Sequence, residues 1–452
     1  MHLTPINRSG ERHDCCFTLL GDVGLIYIRD DESIRGMASL THTKFSVLSH
    51  SRETIPSILK GKILKIPGEA GSMGDQQTKT GKRVLFFDQI KALMIALVIA
   101  VHVLLTFVGS FMGVHISTSG SSHPVFGGFA VWLLFFCNSF FMYMLFLLSG
   151  YFVPRSVHKK GVTRYLKDRL LRIGIPFLAG LLLINNASML IARLSPASPL
   201  AELSWNQLPF NRVGVLWFLV VLFVFDLFYC AWVALRGDYF SVDTSVPTPR
   251  LRSWLISAIV LAIIEVVMTT RADLWAALGR SQLDGLGAQG MHLFTYAFLF
   301  FLGCKASFHR WLERLDAHLV LRWFRFSFVL ALSLLAICLV LSFNNSLSNE
   351  FGRLSLLTSF LNPFIGWGVI AYLLLWFQRN ENRGGEWLAV AGVDSFGAYI
   401  IHPIVLVIVL QPIGLIGFNP WFTALTAIAL GIVISFGIIH QLRRITTIAS
   451  VI

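Results

Sequence analysis

A histidine lies deep in the first long apolar run of this chain, Val84 to Val108, and a lysine lies eleven residues before it. An ionisable side chain near the centre of a bilayer costs about 2.5 kcal/mol or more. Such a group usually faces a bundle interior or a water-filled cavity and marks a functional site. On one helix the α-carbons of Lys91 and His102 stand about 16 Å apart at 1.5 Å per residue. Lys91 would meet the headgroups at one membrane face while His102 reaches past the midplane. Imidazole is a natural general base near neutral pH, so this spacing suits a binding site at one face and chemistry deeper inside.

Two further histidines fall at similar depth, and the three could line one cavity. His402 stands in Ser395-Phe-Gly-Ala-Tyr399-Ile-Ile-His402-Pro403, and His292 opens another apolar run. Each also has a plain structural reading. Pro403 has no N–H and frees a carbonyl one turn back, which His402 could satisfy. His292, at an interface, suits a solvated helix start. Asp226 and Glu265 lie inside apolar runs. Either could pair with a His or Arg of another helix, for structure or to orient a histidine, and the sequence does not choose. Arg169 and Arg172 open a further run, one helical turn apart and so on a shared face. Guanidinium suits bidentate phosphate contact; the pair equally suits a positive anchor at the membrane boundary. The six cysteines show no metal-ligand spacing. No metal is expected, and four of the cysteines read as small buried hydrophobes.

The elements that must hold these residues are transmembrane helices. Of the 452 residues 55% are hydrophobic and 13% charged, about half the charged share of a soluble domain. A span needs about 20 mostly apolar residues. Runs of that kind fall near 85–110, 126–152, 171–193, 213–235, 253–271, 289–307, 323–343, 354–378, 387–411 and 420–441. The expected fold is therefore an all-α polytopic membrane protein of about ten helices. Lys and Arg crowd the even-numbered connections, with Arg155, Lys159, Lys160, Arg164 and Lys167 in the second and Lys305, Arg310, Arg314 and Arg322 in the sixth. The odd ones are sparse, which predicts both termini in the cytoplasm. The formal charge of +13 then faces anionic lipid, and nucleic-acid binding is not implied. Residues 1–82 are mixed and polar and show no secretory signal. They read as a poorly ordered segment or as a start assigned too early, with Met73 the alternative, ahead of a membrane domain over 83–445.

From about residue 83 to 440 the chain resembles the acyltransferase-3 family of integral membrane acyltransferases. Several elements carry the resemblance in order. A basic residue, ten residues and a His lie in the first span (Lys91, His102), and Leu148-Ser149-Gly150-Tyr151-Phe152 ends the second. Arg-x-x-Arg and a proline follow (Arg169, Arg172, Pro176), then Leu216-Trp217-Phe218-Leu219 opening the fourth span, and late in the chain Ser395, Tyr399, His402 and Pro403. The Ser-Gly-Tyr-Phe element and Arg155 are similar to the glucan succinyltransferase branch. The resemblance implies an acyl group, acetyl or succinyl, taken from cytoplasmic acyl-coenzyme A as co-substrate, with no tightly bound cofactor. It implies transfer to a hydroxyl of a glycan or small acceptor, in a bacterial inner membrane. His102 would be essential, His402 is the second catalytic candidate, and Lys91, Arg169 and Arg172 would contact the coenzyme. Ser149 and Trp217, like Asp226, Glu265 and His292, would support them. Lys91 stands where Arg is commoner, keeping the charge and losing the bidentate fork. His102 would either take the acceptor's proton or itself carry the acyl group. Ten spans with intramembrane His, Asp and Glu would also suit a proton-coupled transporter or flippase.

Overall fold

In the computed structural model the described residues are 85–445, apart from 117–122, 196–197, 238–239, 272, 274–280, 382–384 and 417–418. Segment 1–82, Met73 and the Cys15–Cys16 pair lie outside them. The helices are α1 (Leu85–Val108), α2 (Pro124–Asn138), α3 (Phe141–Lys160), α4 (Val162–Arg193), α5 (Trp217–Arg236) and α6 (Leu251–Thr270). They continue with α7 (Asp284–Gln289), α8 (Leu293–His309), α9 (Ala317–Phe343), α10 (Phe351–Arg379), α11 (Gly385–Leu415) and α12 (Pro420–Leu442). Among the described residues ten stretches are long and apolar enough to cross a membrane, with α2 and α3 together forming one. The chain is thus a multi-pass membrane protein with the number of spans its apolar runs predict. Successive crossings reverse direction. The start of α1 and the ends of α3, α5 and α8 therefore share one end of the bundle, here the near end. The end of α1 and the starts of α2, α5 and α8 share the far end.

Two spans differ from the expectation. The second runs on to Lys160 and breaks at Ser139 and Phe140, where the Ser139 hydroxyl donates to the Phe136 carbonyl at 2.7 Å. The third begins at Val162, so much of the expected basic loop is helix. Wider π turns cover Leu170–Gly174 and Gly180–Asn185. Pro176, with no N–H to donate, lies between them. Elsewhere the ends follow local chemistry. Asn419 Oδ1 accepts the Trp421 N–H at 3.0 Å ahead of Pro420, and Asp316 accepts the His318 N–H at 2.9 Å, as N-caps do.

Helices α1, α10 and α11 are mostly buried, whereas α6, α9 and α12 turn most of their surface outward. On α6 the outward stripe is Ile256, Ile259, Ile263 and Val267, apolar at helical spacing as a lipid-facing surface must be. The closest crossing joins α3 to α8. A Cβ on Gly150 would stand 1.9 Å from the Phe300 carbonyl oxygen, and one on Gly303 would stand 2.2 Å from that of Leu147. Without a hydrophobic drive between helices in lipid, such small residues permit the backbone approach on which association rests. The Ser-Gly-Tyr-Phe element is thus a packing surface as well as a motif.

Candidate active site

Eleven residues are about three helical turns, so α1 presents Lys91 and His102 on one face. His102 is partly exposed, and its Nδ1 lies 2.7 Å from the Val98 carbonyl oxygen. A carbonyl only accepts, so Nδ1 carries a proton, and when the ring is neutral its lone pair is at Nε2. The His402 ring, on α11, stands 5.0 Å away between centroids. Pro403 cannot donate to the Tyr399 carbonyl, and His402 Nδ1 does so instead at 2.6 Å. That is the structural role its position before proline predicts. It uses one nitrogen only. The other, Nε2, is fully buried and has no hydrogen-bond partner among the described residues. Two imidazoles therefore meet, each with its Nε2 lone pair free in the neutral form, one ring reachable and one enclosed.

Phe111 completes the pair and was not foreseen from the sequence. It is fully buried, 4.5 Å from the His102 ring and 6.2 Å from that of His402, stacked on the latter. A tight turn puts it there. The Phe111 N–H donates to the Val114 carbonyl at 3.0 Å and the Val114 N–H returns at 2.8 Å. Met112 and Gly113 take φ of 48° and 80°. At Gly113 a Cβ would also meet Leu200 Cδ1 at 2.4 Å, and Ser198 Oγ donates to the Gly113 carbonyl at 2.7 Å. The glycine after an aromatic just past the first span is the signal that reveals this turn.

At the near end Lys91 Nζ lies 3.3 Å from Asp88 Oδ1 and 5.0 Å from the centre of the Phe152 ring. The basic residue of the first span thus meets the last aromatic of the Ser-Gly-Tyr-Phe element. Ser149 is partly buried on the same helix. The two arginines stand in different surroundings. Arg169 turns inward: its Nε lies 3.0 Å from Asp226 Oδ2 and donates to Tyr165 Oη at 2.8 Å. Arg172, in the first π turn, is exposed. The wider turn moves it round the axis, so the shared face expected of a regular helix does not form.

His292 is not with the other two. It is 2% exposed, so the solvated helix start expected of it gives way to a buried one. Its Nδ1 lies 3.2 Å from Glu265 Oε2 and its Nε2 lies 3.0 Å from Asn138 Nδ2. Glu265 also accepts from the Tyr143 hydroxyl, from Thr295 Oγ1 at 2.7 Å and from Asn362 Nδ2 at 3.3 Å. Of the two acids found inside apolar runs, then, Asp226 takes an arginine and Glu265 a histidine. Trp217 stacks on Tyr296 at 5.4 Å, and Phe218 meets Tyr399 at 5.9 Å. The Leu-Trp-Phe-Leu element thereby fills the space between this cluster and the histidine pair. Outside the spans, burial raises the Asp284 carboxyl above its ordinary range, although the Gly214 and Gly285 N–H groups donate to it at 2.8 and 2.9 Å.

The arrangement can remove a proton at His102 Nε2 from a group that reaches it, in a surround of aromatic and aliphatic side chains. The acyltransferase-3 family model, described as an acyltransferase domain, matches residues 84–440. Glucans biosynthesis protein C of Escherichia coli K12 is 28% identical over 165 residues, 34% of this chain and 40% of its own length. The proteins of the same name from strains SMS-3-5 and O1:K1 match to the same extent. The matched stretch is thus less than half the length of these relatives. The family match spans nearly all of the helical bundle and includes Lys91, His102, both arginines and His402, and the chain belongs to the acyltransferase-3 family of membrane acyltransferases.

Proposed function

We propose that this protein moves an acyl group, acetyl or succinyl, from acyl-coenzyme A to a hydroxyl of a glucan or related glycan. The near end faces the cytoplasm of a bacterium and receives the donor, and the far end receives the acceptor. The observation that carries the reading is the histidine pair: His102 is reachable, holds its Nε2 lone pair free, and shares an α1 face with Lys91. His102 Nε2 takes the acceptor hydroxyl proton as that oxygen attacks the thioester carbonyl. The C–S bond breaks, the acyl group stays on the oxygen, and the thiolate leaves to be protonated as free coenzyme A. His402 stabilises the charge that forms on its neighbour through its unpartnered Nε2. Lys91, Arg169 and Arg172 hold phosphates of the donor, Arg172 mainly through charge.

Membranes containing the wild type or His102→Ala, supplied with acetyl- and succinyl-coenzyme A and a crude envelope glycan, test this. Turnover should fall in the mutant by about 10²-fold or more, the low end of general-base contributions, with insertion unchanged. Equal turnover by a well-expressed His102→Ala protein would remove the role of His102. Absence of turnover by the wild type with both donors would favour a transporter.

A further inference from the structure

The reading of Arg169 as a donor-phosphate contact leaves open why its side chain is tied to a buried acid. Asp226 is fully buried on α5, ten residues inside the near end. Its two oxygens are divided: Oδ1 accepts from the Tyr165 hydroxyl at 2.8 Å, and Oδ2 lies 3.0 Å from Arg169 Nε. Arg169 Nε also donates to Tyr165 Oη at 2.8 Å, closing a three-membered ring of contacts. The guanidinium lies 5.4 Å from the Tyr165 ring centre. A buried ion pair is a poor stabiliser, because apolar side chains of similar volume often do as well or better. What such a pair does supply is geometry.

The geometry is specific about which portion of Arg169 is used. Guanidinium has five N–H donors; here the Nε–H goes to Tyr165 Oη, and Asp226 Oδ2 faces the same nitrogen as an ion-pair partner without a hydrogen bond among the described residues. Among the described residues neither terminal nitrogen makes a hydrogen bond, and the side chain is 26% exposed. The terminal Nη–Nη edge, the fork that fits two phosphate oxygens, is therefore held in one orientation at the near-end boundary. Asp168 next to it does not compete, since it is taken by Lys160 at 2.6 Å.

Resting on the proposed donor reading, we infer that Asp226 and Tyr165 are positioning residues. They clamp Arg169 by Nε so that its terminal edge receives a phosphate of the coenzyme A moiety. The exposed Arg164, Lys167 and Arg172 on the same helix supply attraction without fixed direction. The sign of one substitution separates orientation from charge. Asp226→Asn removes a negative charge beside the phosphate site. If charge alone mattered, the donor would bind more tightly. If orientation matters, it binds more weakly.

The experiment compares two thioesters in membranes: acyl-coenzyme A, and the S-acyl pantetheine that lacks every phosphate, with acetyl or succinyl as the wild type prefers. For Asp226→Asn we expect kcat/KM on acyl-coenzyme A to fall about tenfold, mostly through KM, which corresponds to about 1.4 kcal/mol. The value on acyl-pantetheine stays within about twofold, since no charge-assisted phosphate contact is there to lose. Tyr165→Phe should move the same preference in the same direction by a few-fold. It decides the matter alone if Asp226→Asn fails to yield folded protein by size-exclusion of a fluorescent fusion. Equal losses on both thioesters would make the ring merely structural, and an unchanged or raised preference for the coenzyme would overturn the clamp. A wild type that acts equally on both thioesters removes the phosphate-contact reading itself, a result distinct from either of these.

Discussion

His402 shows how one side chain can satisfy two demands. Its Nδ1 repairs the backbone that Pro403 leaves unbonded, and its Nε2 is left buried and unpartnered against His102. The sequence context revealed the first role and only suggested the second, because the partner ring arrives from a helix some 300 residues away in the chain. The two roles separate by substitution. Asparagine places an amide N–H close to where Nδ1 stood and nothing where Nε2 stood. His402→Asn should therefore express and fold near wild-type levels while losing about tenfold or more in turnover, within the span of a lost charge-stabilising partner. Turnover close to wild type would reduce His402 to its backbone role. His102 and Lys91 were legible as single residues, being ionisable groups in an apolar run. Phe111 was not, since an aromatic residue in a loop carries no such anomaly. Arg172→Ala, at an exposed position, should raise KM for the acyl donor more than for the acceptor; steady-state kinetics with each substrate varied would reveal the reverse.

At the scale of elements, the sequence was most informative where the solvent dictates the pattern. Runs of about 20 apolar residues have few alternatives to a spanning helix, and the ten expected match ten found among the described residues. What was missed depends on neighbours. The break at Ser139 and Phe140 and the π turns of α4 leave no mark in composition. Nor did the helical start at Val162 stand out, because Arg164 and Lys167 look like loop charge, and only Arg169 is turned against α5. The α3–α8 crossing is the sharpest demand. With Phe300 backbone 1.9 Å from a Cβ on Gly150, Gly150→Ala must push α3 and α8 apart. Overpacking of that kind costs about 1–3 kcal/mol. A thermal scan in detergent should show a clear loss of stability, with no matching loss for Gly352→Ala, where a Cβ meets nothing within 4 Å.

For the whole molecule, the proposed function requires two ends with different surroundings, and the alternation of Lys and Arg predicts which is which. Ser204 and Ser245 are exposed on opposite ends, and the four described cysteines are buried. A cysteine at 204 should react with a membrane-impermeant maleimide in intact cells, and one at 245 only after lysis; the opposite pattern would invert the topology. An enzyme that joins two compartments holds an activated thioester while it waits for an alcohol, and water is always the more abundant alcohol-like nucleophile. The Phe111 turn bears on that competition. A fully buried ring 4.5 Å from the His102 imidazole and 6.2 Å from that of His402 closes one side of the pair to water. Phe111→Ala should therefore spend donor without acceptor, raising thioester hydrolysis in the absence of glycan while transfer falls. The yield of acyl groups delivered per coenzyme released measures it. On this view fidelity resides in a tight turn outside the spans, and the histidines decide only how fast the bond is broken.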